Sequence, residues 1–382
     1  MTVLMGAEKY EITTYRADGT YSDGRRPDNV AFSQTLADDL CRRDFTINAM
    51  AYNPKTGLVD MFGGVSDLRN KIIRCVGNPV DRFNEDALRI MRAIRFACRL
   101  DFELSTSTVT AIWDCGENLT NVSQERITAE LLEILKYRKP RNRTMLEYII
   151  KRIIPEFLAL AQVAHNNPYH YTDVFSHTID ALFHSKSCDI EVLLTLLFHD
   201  IGKQAARQFD KKRLTHHYKK HPIFSENMTR EILHRMKLDN KTITNVCLLI
   251  KYHDLDLPAT KKAAKKALNR LGEELCLKLL DVKLSDRYAH RITTAEFADF
   301  ESNLQKFPKL WQEIIANNEA FKISDLAING NDLINFGFQE GQILGNLLNL
   351  CLTYVMENPE MNTKEELLNY VSKIDIDNLQ KI

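Results

Sequence analysis

At 382 residues, 44% hydrophobic and 27% charged, the chain has the composition of a globular protein with two or three cores, which excludes a disordered or fibrous one. Lys plus Arg equal Asp plus Glu at 51 each, so no net field draws in nucleic acid and any RNA contact must rest on local patches. No apolar run reaches the roughly 18 residues of a membrane span, and MTVLMGAEKYEITTYR lacks the charged start and cleavage site of a signal peptide, so a cytoplasmic location is expected. The eight cysteines are scattered without a CxxC pair and read as reduced core residues.

To about Asp60 the chain reads as strands and turns: an alternating VLMGAEKYEITTYR, a turn-rich RADGTYSDGRRPDN and a strand-like FTINAMAYN. These predict part of a sheet. From about Asp81 the apolar spacing becomes helical, as in EDALRIMRAIRFACRL and ITAELLEILKYRK, and the remainder is predicted almost wholly helical. Breaks near Pro140, Pro168, Pro258 and Pro308 and around Gly330 and Gly337 divide it. The expected fold is α+β and mostly α-helical, with a partial head at 1–60, a neck at 61–150, a histidine-rich domain at 165–290 and a helical tail at 291–382.

In EDALRIMR, Asp86 and Arg89 stand three residues apart and are predicted to share a helix face. A carboxylate accepts from an exocyclic amino group while a guanidinium donates to the neighbouring ring nitrogen, an order that adenine and cytosine present and guanine and uracil invert. Alone, the pair reads more readily as an intrahelical salt bridge. In RRDFTINAMAYN, Arg42 and Arg43 suit phosphates and Asp44 suits a ribose hydroxyl or a turn.

Together these segments resemble the bacterial tRNA nucleotidyltransferase (CCA-adding) and poly(A) polymerase family, which extends RNA 3′ ends without a nucleic-acid template. YEITTYRADGTYSDGRRP resembles its strand and flexible loop, RRDFTINAMAYN its ribose-reading motif, EDALRIMR its amino-acid template and SQERITAELLEIL its neck motif. The resemblance implies that Arg43, Asp86, Arg89, Arg92 and Arg95 contact ATP or CTP, that Asp44 lies near the ribose, and that Glu11 is an auxiliary catalytic carboxylate. It also implies Mg2+ for nucleotidyl transfer. In that family a Gly-Gly loop and an Asp-x-Asp pair precede the strand found here, and no such pair occurs before Glu11. The expectation is a chain shortened at its start, lacking the magnesium ligand pair, with impaired transfer and a poorly stable head.

Ten of the eleven histidines fall between His165 and His253, a clustering that asks for a metal. His177, His199, Asp200 and Asp286 follow the H…HD…D order and, with VFSHT, LLFHDIGK and KLSDR, resemble the HD phosphohydrolase domain, implying a divalent transition metal. His221 and His253 occupy places where two-metal versions have extra ligands, and Lys203 could help hold a phosphate. Such a domain is expected to hydrolyse phosphomonoesters or cyclic phosphates, and its fusion to the front module suggests the repair or trimming of damaged RNA ends.

KYRKPRNR at 136–143 and KKAAKKALNR at 261–270 could each track a tRNA backbone, although a solvated helix face is the simpler reading of either alone. Residues 324–368 resemble the tRNA-gripping tail of the same family. The leading reading is addition of C and A to the tRNA 3′ end from CTP and ATP. The alternatives are HD phosphohydrolysis and a catalytically inactive RNA-binding remnant.

Overall fold

The computed structural model describes residues 1–6, 8–19, 30–162, 173–211, 215–290 and 293–374. His165, His170 and most of the loop expected at RADGTYSDGRRP lie outside them. The fold is α+β and mostly α-helical, as expected.

The front holds β1 (Thr2–Met5), β2 (Glu8–Glu11), β3 (Arg16–Asp18), β4 (Val30–Phe32), α1 (Leu36–Cys41), β5 (Met50–Asn53), β6 (Gly57–Asp60), α2 (Gly64–Asn70) and β7 (Ile72–Ile73). Its strands form separate antiparallel pairs, β1 with β2, β3 with β4 and β5 with β6, so no continuous sheet forms among the described residues. The strand expected at FTINAMAYN is corrected: a 3-10 turn over Thr46–Asn48 precedes β5, because Thr46 turns inward to donate its hydroxyl to Asp67 at 2.7 Å.

Next come α3 (Pro79–Glu85), α4 (Leu88–Leu100), β8 (Glu103–Leu104), α5 (Thr106–Cys115), α6 (Gln124–Tyr137) and α7 (Arg143–Ile153). Asn78 caps α3 from outside and Pro79 opens it, a favoured pairing of a side-chain acceptor with a residue that needs no N–H partner. The histidine-rich part comprises α8 (Val174–His184), α9 (Ile190–Phe198), the hairpin β9 (Gln208–Asp210) and β10 (Thr215–His217), α10 (His221–Arg235), α11 (Asn240–Tyr252) and the long α12 (Lys261–Tyr288). Helix α9, IEVLLTLLF, is buried on every side from Val192 onward, which its largely apolar sequence demands. The end is α13 (Thr294–Leu304), α14 (Phe307–Ala316), α15 (Gly330–Asn335), α16 (Gln342–Glu357) and α17 (Lys364–Ser372). No helix among the described residues is long and apolar enough to cross a membrane.

One apolar core runs from Phe45 through α4, α6, α7, α8 and α9 to Val282, a second lies between α12 and α14, and a third joins α16 to α17. Six of the cysteines are buried as expected, but Cys41 and Cys188 are exposed. By contrast, Leu4, Met5, Tyr10, Ile12 and Phe32 at the front are exposed. A lone two-stranded hairpin is marginal in water. Chymotrypsin at low ratio is therefore expected to cut first within residues 1–34; a first cut inside α4 or α9 would contradict this.

The second basic run is tied down by acids. Lys265, 1% exposed, meets Glu319 at 2.8 Å, Lys261 meets the same carboxylate at 2.7 Å, and Lys262 pairs with Glu357. Partial burial works against the Glu319 carboxylate, but Lys261 and Lys265 outweigh it and bring it down to about 2. A depressed carboxyl stabilises the fold above its ordinary value, and that contribution fades as pH falls from about 4.5 towards 2. Glu319→Gln leaves Lys265 charged and buried, and a chemical melt at neutral pH is expected to show a loss of roughly 3 kcal/mol. The loss should shrink as the pH is lowered towards 3.

Candidate functional site

A cavity of about 510 Å³ opens between α1, α4 and α6, lined by Arg42, Arg43, Asp44, Asn48, Asp86, Leu88, Arg89, Arg92 and Arg126. Five guanidinium groups face two carboxylates there, an excess of positive charge suited to a polyphosphate.

Asp86 does not share a helix with Arg89. It is an extended residue (φ −149°, ψ 102°) in the break between α3 and α4, a correction to the expected common face. The break follows from the side chain: one Asp86 oxygen accepts the Leu88 N–H at 3.0 Å, capping α4, and the other takes the Arg126 guanidinium at 2.7 Å. Arg89, in the first turn of α4, is held by Glu85 and donates to the carbonyls of Arg82 and Arg42, each at 3.2 Å. Both side chains thus reach the cavity with little freedom left.

Arg92 grips Asp44 with two donors, at 2.9 and 2.6 Å, while the other Asp44 oxygen accepts from the Phe45 N–H and the Asn48 amide. Arg43, at the cavity rim, donates to the Asn48 carbonyl at 2.9 Å. Two expected residues are not brought in. Arg95 lies one turn beyond Arg92 and pairs with Glu130 at 2.7 Å, and Glu11 sits exposed on β2, outside the cavity lining. Burial raises the Glu130 carboxyl, with Arg95 and Arg92 pulling against it. Sequence reasoning missed Arg126 and Glu85 as anchors, though both stand inside the quoted motifs. The first basic run is largely structural: Arg138 donates to the carbonyls of Leu182 and Ser185, and Arg143 pairs with Asp180 and Glu147.

A second cavity, of about 240 Å³, is lined by His177, His199, Asp200, Lys203, His221, His253 and Asp286, together with Tyr218, Asp254 and His290. Helix ends deliver these groups: His177 from α8, His199 and Asp200 from the end of α9, His221 from the start of α10, His253 from the end of α11 and Asp286 from α12. Gly202 allows the approach of α10, since a Cβ there would lie 2.3 Å from the Ser225 nitrogen.

The Nδ1 atoms of His199, His221 and His253 face the carbonyls of Leu196, Tyr218 and Ile250 at 2.9, 3.1 and 2.7 Å. A carbonyl only accepts, so each Nδ1 carries a proton and each Nε2 points into the cavity. His221 Nε2 and His253 Nε2 then stand 3.3 Å apart, a meeting of two acceptors that needs a proton or a cation between them. Asp200 Oδ1 lies 3.2 Å from His221 Nε2, and Asp200 Oδ2 lies 3.2 Å from His199 Nε2. Three overlapping groups can hold an ion: His177 with Asp286 and His290, His177 with His199 and Asp200, and Asp200 with His221 and His253. Burial opposes charge on His199, but Asp200 and Asp286 push its imidazole up to about 10. Asp200 stays well below the usual range despite burial, held by His199 and Lys203, and burial brings His253 down to about 4. His290, one turn past Asp286, escaped the sequence reading because it lies outside the histidine cluster.

The family described as the poly A polymerase head domain matches residues 1–74, that of the probable RNA and SrmB-binding site of polymerase A matches 101–160, and that of the putative tRNA nucleotidyltransferase domain 2 matches 223–371. The CCA-adding enzyme of Lactobacillus helveticus is 32% identical over 377 residues, covering 98% of this chain and 82% of that enzyme. That of Ligilactobacillus salivarius is 30% identical, covering 97% and 80%. The crystal structure of the Bacillus stearothermophilus CCA-adding enzyme in complex with CTP superposes with a TM-score of 0.67 at 25% identity, covering 100% of this chain and 82% of that one. With both the sequence and the order of its elements shared along nearly its whole length, the chain belongs to the family of CCA-adding enzymes, tRNA nucleotidyltransferases.

Proposed function

We propose that the chain reads CTP and ATP in the arginine-lined cavity for addition of C and A to the tRNA 3′ end. The observation that carries this is the pair Asp86 and Arg89, each clamped by its own partner at the cavity wall. Asp86 accepts from the exocyclic amino group and Arg89 donates to the ring nitrogen, the arrangement adenine and cytosine satisfy. Arg43 and Arg92 meet the phosphates, Asp44 orients the ribose, and Arg95 steadies α6 through Glu130. The head (1–60), neck (61–150) and helical tail (291–382) divide the work, with tRNA, ATP and CTP as partners in the cytoplasm.

Nucleotidyl transfer also uses magnesium, and the described residues do not fit that role. Glu11 is exposed on a hairpin, and among the described residues the groups able to hold an ion lie in the histidine cavity. The reading is therefore tested by equilibrium binding of the four nucleotides together with pyrophosphate release in the presence of tRNA. Binding of CTP and ATP but not GTP or UTP supports the pocket, pyrophosphate release supports transfer, and RNA binding with neither would leave an inactive RNA-binding protein.

A second reading, metal-dependent phosphohydrolysis in the HD-like domain (165–290), is favoured by the facing Nε2 atoms of His221 and His253. The donor set of imidazole nitrogens and carboxylate oxygens suits a divalent transition metal. When bound, such an ion lowers the pKa of a coordinated water and polarises a phosphoryl oxygen. His177, His199, Asp200 and Asp286 would hold the first ion, Asp200, His221 and His253 a second, and Lys203, 2.6 Å from Asp200, lines the same cavity.

A further inference from the structure

Helices α5 and α7 carry an exposed ring system that neither cavity uses. Trp113 is 44% exposed, and its indole meets the Tyr148 ring at 4.1 Å between centroids with a tilt of 58°. Three devices hold the pair in place. The Tyr148 hydroxyl donates to the Trp113 carbonyl at 3.2 Å. The Arg152 guanidinium, one helical turn beyond Tyr148, lies 5.3 Å from the Tyr148 ring centre and is fixed by Glu117 at 3.0 Å. Finally, Gly116 makes room, since a Cβ at that position would stand 2.1 Å from the Tyr148 hydroxyl.

A large indole left in water forgoes the stabilisation of burial, and here it is propped in a single orientation by groups from two helices and the turn between them. All of these residues fall inside residues 101–160, the segment matching the RNA and SrmB-binding site. We propose that Trp113, backed by Tyr148 and Arg152, is a stacking platform for an unpaired base of the RNA. Every base has a π-face, so such a contact tolerates sequence. Asp114 beside the indole and Glu117 beside Arg152 make the patch a poor track for phosphates, so stacking and not backbone charge sets the contact.

The proposal rests on the reading that RNA is the partner, and one titration separates the two. The chain has two tryptophans; Trp311 is 2% exposed with its Nε1 donating to the Ala264 carbonyl, so a fluorescence change on adding RNA reports Trp113. With the full chain, short single-stranded RNA is expected to quench this emission and duplex RNA to leave it unchanged. Trp113→Ala should weaken single-strand affinity about tenfold, leave the salt dependence as in the wild type, and leave CTP binding intact, while Trp113→Phe recovers most of the affinity. Filter retention of RNA without quenching, and with equal affinity in Trp113→Ala, overturns the platform alone. Failure of the wild type to retain any RNA overturns the RNA reading and the platform with it.

Discussion

Asp86→Ala is expected to lower the affinity for CTP and ATP by roughly ten- to a hundredfold, the value of a hydrogen bond to a charged group, and to abolish the preference over GTP and UTP. The change removes both the acceptor for the exocyclic amine and the cap on Leu88, and it leaves Arg126 without its carboxylate. Asp86→Asn separates these effects, because an amide keeps the shape and the cap but can donate as well as accept; it should bind all four nucleotides with similar, weakened affinity. Arg126→Ala is expected to fall between, with ATP and CTP still preferred but less strongly, since the carboxylate survives while its orientation is released. Competition titration of the four nucleotides against a fluorescent CTP reads all three variants. Undiminished selectivity in Asp86→Ala would remove the base-reading role from this residue.

The contrast between Asp86 and the histidine centre explains what a sequence can disclose. His177, His199, Asp200, His221, His253 and Asp286 meet in one cavity because each closes or opens a helix whose own apolar pattern is plain, so order along the chain survives into space. His290 and Asp254 join them only through the turn after α12 and the exposed end of α11, which no periodicity announces. Asp86 sat in a pattern that reads as continuous helix, yet its side chain caps Leu88 and ends the regular spacing; a capping carboxylate competes with the backbone it follows. The resemblance places Arg95 with Arg92 at the nucleotide, but Glu130, 35 residues later, claims it. Alternation marks strands at the front but leaves open how they join, here as separate two-stranded pairs, because pairing depends on distant partners that alternation cannot specify.

Asp200→Asn is expected to strip the histidine cavity of metal altogether, whereas His253→Ala should remove one ion and spare the other. Asp200 is the residue shared by the groups on either side: Oδ2 faces His199 and Oδ1 faces His221, so one substitution weakens both. Elemental analysis after incubation with manganese, nickel or cobalt, followed by desalting, gives the stoichiometry. The wild type should gain thermal stability with added ion, by about 2.7 kcal/mol at a hundredfold excess over the dissociation constant, and Asp200→Asn should gain none. Without metal, Asp200 and Asp286 hold the His199 imidazole up at about 10, so at neutral pH an entering ion displaces a proton. Affinity should therefore rise with pH across the neutral range, and calorimetry in buffers of different ionisation enthalpy should show proton release. The His199→Ala, Asp200→Ala double variant should lose hydrolysis of p-nitrophenyl phosphate and of a cyclic nucleotide while binding CTP as the wild type does. Retained hydrolysis in that variant, with its metal content gone, would refute phosphohydrolysis at this centre.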